Sequence, residues 1–81
     1  MRKLLNTLYV TSENAYLSLD GENVVISIDF DEKHYIPLHT LENIICFSYK
    51  GASPALMGKC AKNNIQLSFF SPQGWYLAST N

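Results

Sequence analysis

Few residues in this 81-residue chain have the types and spacing that do chemistry. His34 and His39 stand five positions apart with Pro37 between them. That is neither the i, i+4 spacing of a zinc pair on a helix face nor the alternate spacing of a strand pair. Asp29 and Asp31 would share a face if a strand ran through Phe30, and could then offer oxygens to a hard cation. No EF-hand loop or third ligand stands nearby, so a solvated turn is the preferred reading. Cys46 and Cys60 lack CxxC spacing and sit among apolar neighbours, the pattern of reduced core thiols. No serine or cysteine lies in a nucleophile motif, and no glycine-rich phosphate loop occurs. The residues therefore predict no catalytic and no metal-ligating group.

Charge and aromatic content offer binding chemistry instead. The formal net charge is -1, unlike the visibly basic balance of a domain built solely to grip a polyanion. Six of the seven acids, Glu13, Asp20, Glu22, Asp29, Asp31 and Glu32, fall early in the chain. Lys50, Lys59 and Lys62 fall in a later segment with no acid, and read either as ordinary solvated lysines or as a small basic face touching DNA phosphate. The aromatics Tyr16, Tyr35, Tyr49 and Tyr76, with Phe47, Phe70 and Trp75, exceed what one face of a small sheet buries. Tyr16, Tyr35, Tyr49, Phe70 and Tyr76 are the candidate dimer-interface residues. Base stacking is the rival reading, but it usually comes with interleaved basic residues, which the acidic first half lacks.

The elements that must position these residues follow from periodicity. Leu4 to Val10 reads as a first strand with Leu4, Leu8 and Val10 on one face. Thr11 to Asn14 is turn-like. Ala15, Leu17 and Leu19 alternate with polar residues up to Asp20-Gly21, a tight-turn signal, and Val24, Ile26 and Ile28 alternate after it, which predicts a β-hairpin. Asp31-Glu32-Lys33 links to a short strand through Tyr35 and Ile36, limited by Pro37. Leu38, Leu41 and Ile44 recur every third residue, the mark of a single tight helical turn before a strand from Ile44 to Tyr49.

Ser53-Pro54 opens a helix, with serine as cap and proline at the first position. Leu56 with Cys60 and Met57 with Ala61 form its apolar stripe, Lys59 and Lys62 suit its carbonyl end, and Asn63-Asn64 ends it. Gly58 inside it reads as a close-packing residue. Ile65 to Phe70 alternates as a strand, Ser71-Pro72-Gln73-Gly74 turns, and Trp75 to Ala78 returns. The expected fold is α+β and predominantly β: a small antiparallel or mixed sheet domain with one α-helix.

Residues 1-81 form one domain at this length, with modest stability of its own. Met1 to Thr7 begins like an export signal, but its apolar run breaks at Asn6, and no run spans a bilayer. A cytoplasmic protein is expected. The ending at Ser79-Thr80-Asn81, with no capping element or charged tail, reads as a cut through a longer protein.

A family resemblance rests on the succession of these motifs. The DG hairpin, then IPLHTLENIICFS, then S-x-x-L-x-x-x-C-A-x-N-N-I-x-L-x-F-F, then S-P-Q-G-W-Y-L-A, resembles the N-terminal domain of the CRISPR adaptation integrase, Cas-one, and looks most like its subtype I-C branch. The resemblance covers essentially the whole chain. It implies a β-domain with one helix, followed by a helical domain whose glutamate, histidine and aspartate hold magnesium or manganese in a prokaryotic DNA endonuclease and integrase. Those motifs are absent here, so no ligand is carried over to His34 or His39, and the chain alone should cut nothing. The resemblance further implies homodimers packed through the β-domains, a small Cas-two partner, and capture of double-stranded DNA for spacer insertion. Some relatives bracket the duplex end with an aromatic residue near the first β-turn. The corresponding position here is around Glu13, so no bracketing residue is carried over. The alternative from another class is a free-standing β-rich protein-interaction module without a nuclease role.

Overall fold

The computed structural model describes residues 2–4, 6–29 and 31–80, with side chains described from residue 6 onward. Among the described residues, eight strands, one α-helix and a 3₁₀ turn build two sheets around one core. Strands β1 (Arg2–Leu4), β2 (Thr7–Val10), β6 (Asn43–Cys46), β7 (Gln66–Phe70) and β8 (Tyr76–Thr80) form a mixed five-stranded sheet in the order β1-β2-β6-β7-β8. Strands β3 (Ala15–Asp20), β4 (Asn23–Ile28) and β5 (Glu32–Pro37) form a three-stranded antiparallel meander. Helix α1 (Pro54–Lys62) carries the chain from β6 to β7, which are parallel neighbours and therefore need a crossover.

The core is the alternating inward set of both sheets, closed by the helix. Leu8 and Val10 of β2, Ile44 and Cys46 of β6, and Leu67 and Phe69 of β7 are buried against Leu17, Val24 and Ile26 of the meander and Leu56 and Cys60 of α1. The β3–β4 turn places Gly21 at φ 61, the glycine-first geometry of a two-residue hairpin whose twist matches its strands. Ser53 caps α1 by accepting from the Leu56 N–H at 3.2 Å, Pro54 stands at its start, and Asn64 leaves it at φ 59. The single tight turn is a 3₁₀ turn, Leu38–Thr40, with Leu38 buried and its N–H donating to the Glu22 carbonyl at 2.9 Å.

Several boundaries differ from the periodicity. The stretch from Leu4 to Val10 is two antiparallel strands, β1 and β2, because the chain turns at Asn6. The Asn6 carbonyl accepts from the N–H groups of Glu42 at 2.8 Å and Asn43 at 3.3 Å, and its amide donates to Glu42 Oε2 at 2.9 Å. The facing of Leu4 lies outside the described side chains. The strand expected up to Tyr49 stops at Cys46, since Ser48 turns inward. Its hydroxyl lies 2.8 Å from the Ala15 carbonyl and 2.9 Å from that of Glu13, and accepts from the Lys50 N–H at 3.1 Å. Strand β5 starts earlier than expected, at Glu32, and tolerates Pro37 because it is an edge strand.

Two readings of the helix are corrected. Gly58 is exposed, and a Cβ there would meet nothing within 4 Å, so it is not a close-approach residue. Ala61 is exposed as well, so the buried stripe is Leu56 and Cys60 with Met57 partly covered. Asp29 turns at φ 57 directly after β4, so the strand geometry that would align it with Asp31 does not form; Phe30 itself lies outside the described residues.

Candidate functional site

The titratable groups meet in isolated pairs rather than in a cluster among the described residues. His34 Nε2 lies 2.6 Å from Glu32 Oε2 on β5, both partly exposed, while His39 lies exposed in the 3₁₀ turn. Among the described residues, no group of three His, Cys, Asp or Glu side chains could hold a metal ion. Cys46 and Cys60 are buried free thiols. Burial pushes the Cys46 thiol up to about 11 and raises that of Cys60, so both stay protonated at neutral pH and are poor nucleophiles and poor metal ligands. Among the described residues, then, no donor set fits a divalent cation.

The three candidate lysines do not share an acid-free surface. Lys59, in the last turn of α1, donates to Glu22 Oε2 at 2.8 Å, bringing the β3–β4 turn onto the helix end. The hydrogen bond from Lys59, then its charge, and more weakly the charge of Lys62 hold the Glu22 carboxyl below its ordinary value. Lys50 stands exposed in the 47–50 loop, outside the helix. The later segment is acid-free in sequence, yet the hairpin returns Glu22 to it in space.

The five candidate aromatics are sorted onto separate surfaces by strand register. In the five-stranded sheet, Leu8, Ile44, Leu67 and Thr80 lie side by side and face inward, so Tyr9, Ile45, Ser68 and Ser79 lie side by side and face outward. Phe70 belongs to that outer face and stacks on Phe47 with centroids 5.4 Å apart, while Tyr76 meets it edge-on at 5.6 Å. In the meander, Tyr16 shares a row with Ser27 and Lys33, and Tyr35 a row with Val25 and Ser18, on the face turned away from the core. Tyr49 joins neither. Its hydroxyl donates to Gln73 Oε1 at 3.2 Å, and its ring lines an open apolar cleft of about 280 Å³ with Met57, Phe69, Leu77 and Ala78.

Sequence reading missed part of this arrangement. Trp75, counted in the aromatic excess but not among the five interface candidates, is 74% exposed just before the last hairpin arm, and Leu77, 47% exposed, is absent from the sequence reading of surfaces. The signal was present as the run Trp75-Tyr76-Leu77, in which strand alternation cannot bury every member. A register shift between Phe69 and Phe70 leaves Leu77 without a partner in the ladder, and it lines the cleft.

Comparison with known proteins places this architecture. The family model described as CRISPR associated protein Cas1 matches residues 8–81. A CRISPR-associated endonuclease Cas1 of Chlorobaculum tepidum is 48% identical over 77 residues, which is 95% of this chain and 22% of that relative. The chain thus spans less than a quarter of the length of this relative. Among solved structures, a Cas1 protein from Thermotoga maritima superposes with a TM-score of 0.75 at 18% identity, covering 90% of this chain and 24% of that one. A chain of a partial Cas6-RT-Cas1–Cas2 complex superposes with a TM-score of 0.79 at 18% identity, over 93% of this chain and 23% of that one. These structural likenesses establish the shared β-rich fold. The motif order read from the sequence, the family match across nearly all of the chain and the close relative agree: the chain belongs to the Cas1 family of CRISPR associated proteins.

Proposed function

We propose that this chain is the noncatalytic N-terminal domain of a CRISPR DNA endonuclease and integrase, and that it serves as the dimerisation and scaffold part of that protein during spacer acquisition. The observation that carries this reading is the 48% identity to a Cas1 endonuclease over 95% of this chain but only 22% of that relative. The domain so matched is the β-rich one, in which the described residues offer no donor set for a divalent metal. Magnesium or manganese would therefore be held elsewhere in the full-length protein, and no step through a metal is assigned to residues here. The likeness to a chain of a Cas1–Cas2 complex supports a small Cas2 partner, and the likeness to a chain of a TtCas1-DNA complex supports DNA as the substrate, which this reading takes to be double-stranded.

Lys50, Lys59 and Lys62 are the proposed phosphate contacts, with Lys59 the weakest because Glu22 already offsets its charge. Each phosphate contact removed should flatten the dependence of log affinity on log salt by about 0.9 for duplex DNA. The experiment compares the protein as its gene encodes it with residues 1–81 alone, in manganese, on duplex DNA. Chelator-sensitive cleavage or joining by the full protein, and none by residues 1–81, is the expected result. Chelator-sensitive cleavage by residues 1–81 alone overturns the proposal.

A further inference from the structure

The inner face of the five-stranded sheet is left open along β8. In the row Leu8, Ile44, Leu67 and Thr80 the first three side chains are fully buried, while Thr80 is only partly covered. In the next row Val10, Cys46 and Phe69 are buried and Ala78 is exposed, although the register turns it inward beside Phe69. The result is the open cleft of about 280 Å³ between Met57 of α1, Phe69 of β7 and Ala78 of β8, lined also by the exposed side chains of Tyr49 and Leu77. Thr80 lines it too, and its hydroxyl oxygen is buried without a hydrogen-bond partner among the described residues. An apolar wall and an unpaired buried hydroxyl thus stand at one place, where the last strand of the sheet lacks cover.

From this we infer that the cleft is the seat of the segment that directly follows Asn81 in the longer protein. An apolar side chain of that segment packs between Met57, Phe69 and Leu77, and a main-chain polar group of it pairs with the Thr80 hydroxyl. The inference rests on the N-terminal-domain reading above and adds to it an intrachain contact. The lining carries no charged side chain, so a phosphate backbone finds no cation there. A buried hydroxyl left unpaired is unfavourable, and an arriving stretch of main chain brings both donors and acceptors to it.

Size decides between a tethered segment and a separate protein. A dry cavity of ~150 Å³ holds a benzene, so this cleft takes roughly one or two large side chains. Such a contact falls far short of the ~800 Å² per partner of a standard interface, and a separate protein resting on it alone would not stay bound. A tethered segment needs much less, because a short flexible linker holds it at about millimolar effective concentration. The tether here is short. Thr80 itself lines the cleft, and one β-turn of about four residues brings the following chain back over it.

The test is photo-crosslinking of the protein as its gene encodes it, with p-benzoylphenylalanine placed at Leu77 in the cleft or, as control, at Tyr35 on the outer face of the meander. Circular dichroism confirms folding, and Tyr49, also exposed in the cleft, carries the probe should the Leu77 variant fail to fold. The expected product from Leu77 runs at monomer mass on a denaturing gel. Its cross-link maps by mass spectrometry within about a dozen residues after Asn81, the span of an ordinary connection. The Tyr35 probe gives no such product. The thiol of Ala78→Cys should react with a maleimide about tenfold more slowly than that of Tyr35→Cys, as a cleft filled roughly nine-tenths of the time requires. Cross-links to a second copy, to another protein or to a distant part of the chain overturn the inference and leave the N-terminal-domain reading standing. So does the absence of any cross-link together with equal thiol rates. A gene that ends at Asn81 overturns both.

Discussion

The carboxylate of Glu22 and the ammonium of Lys59 meet at 2.8 Å, joining the tip of the β3–β4 hairpin to the last turn of α1. The contact ties the β3–β4 turn of the meander to the helix that crosses between β6 and β7.

Its pH dependence has a definite sign. Glu22 titrates lower in the folded chain than its ordinary 4.5. Its contribution to stability is therefore present above that value and is lost as pH falls through the lowered folded value. Thermal melts of wild type and Glu22→Gln at pH 6.5 and at pH 3 should show a small wild-type advantage that shrinks in acid. Because Glu22 is exposed, 1 M salt should shrink it too. An advantage that persists in both acid and salt would show that Glu22 acts through something other than this ion pair.

Ser48 pins the 47–50 loop to the start of β3. Its buried hydroxyl lies between the Glu13 and Ala15 carbonyls and accepts from the Lys50 N–H. Ser48→Ala takes the hydroxyl away from the buried Ala15 carbonyl and from the part-buried Glu13 carbonyl and Lys50 N–H, which costs ~1–3 kcal/mol. At this chain length each kcal/mol lowers the melting temperature by about 4–8 °C. Ser53→Ala removes only the helix cap and should cost ~1 kcal/mol. Calorimetry should rank Ser48→Ala as equal to or worse than Ser53→Ala, and a neutral Ser48→Ala would refute the pinning role.

How much of this was legible in the sequence depends on whether the cause was local. The Asp20-Gly21 hairpin, the Leu38 turn and the Ser53-Pro54 helix were readable because each is set by residues within a few positions. The break at Asn6 was not, because its cause is Glu42 and Asn43, which hold the Asn6 carbonyl from across the sheet. The early end of β6 was missed for the same reason, since Ser48 reaches back to Glu13 and Ala15. The aromatics were legible as an excess but not as surfaces. Strand register alone separates Phe70 and Tyr76 from Tyr16 and Tyr35, and pairing partners are not written in local periodicity.

The buried thiols give a chemical test of the core. Both Cys46 and Cys60 titrate above the ordinary 9.0, Cys46 at about 11, because burial disfavours the thiolate. A raised folded value means that their contribution is intact below pH 9 and is lost as pH rises from there toward 11. Disulfide-exchange reagents at pH 8 should leave both unmodified in the folded chain and label both in urea. Unfolding midpoints should fall between pH 9 and 11, and less steeply in Cys46→Ala once its own destabilisation is subtracted. Rapid labelling of the folded chain would mean that the helix–sheet interface opens readily.

Two glycines should respond to alanine with opposite signs. Gly58 lies inside α1 with no described atom within 4 Å of an added Cβ. Gly58→Ala gains helix propensity and loses nothing, so it should stabilise by ~0.5–1 kcal/mol. Gly74 closes the β7–β8 turn at φ 96, with its N–H donating to the Ser71 carbonyl at 2.9 Å. Gly74→Ala forces a side chain into a region that L residues avoid and should cost ~1–3 kcal/mol. Urea unfolding with an unchanged slope should move the midpoint up for the first and down for the second. If Gly58→Ala were stabilising in residues 1–81 but destabilising in the protein as its gene encodes it, the exposed flank of α1 would be a covered surface there. The substitution thus tests whether anything packs against that flank of α1.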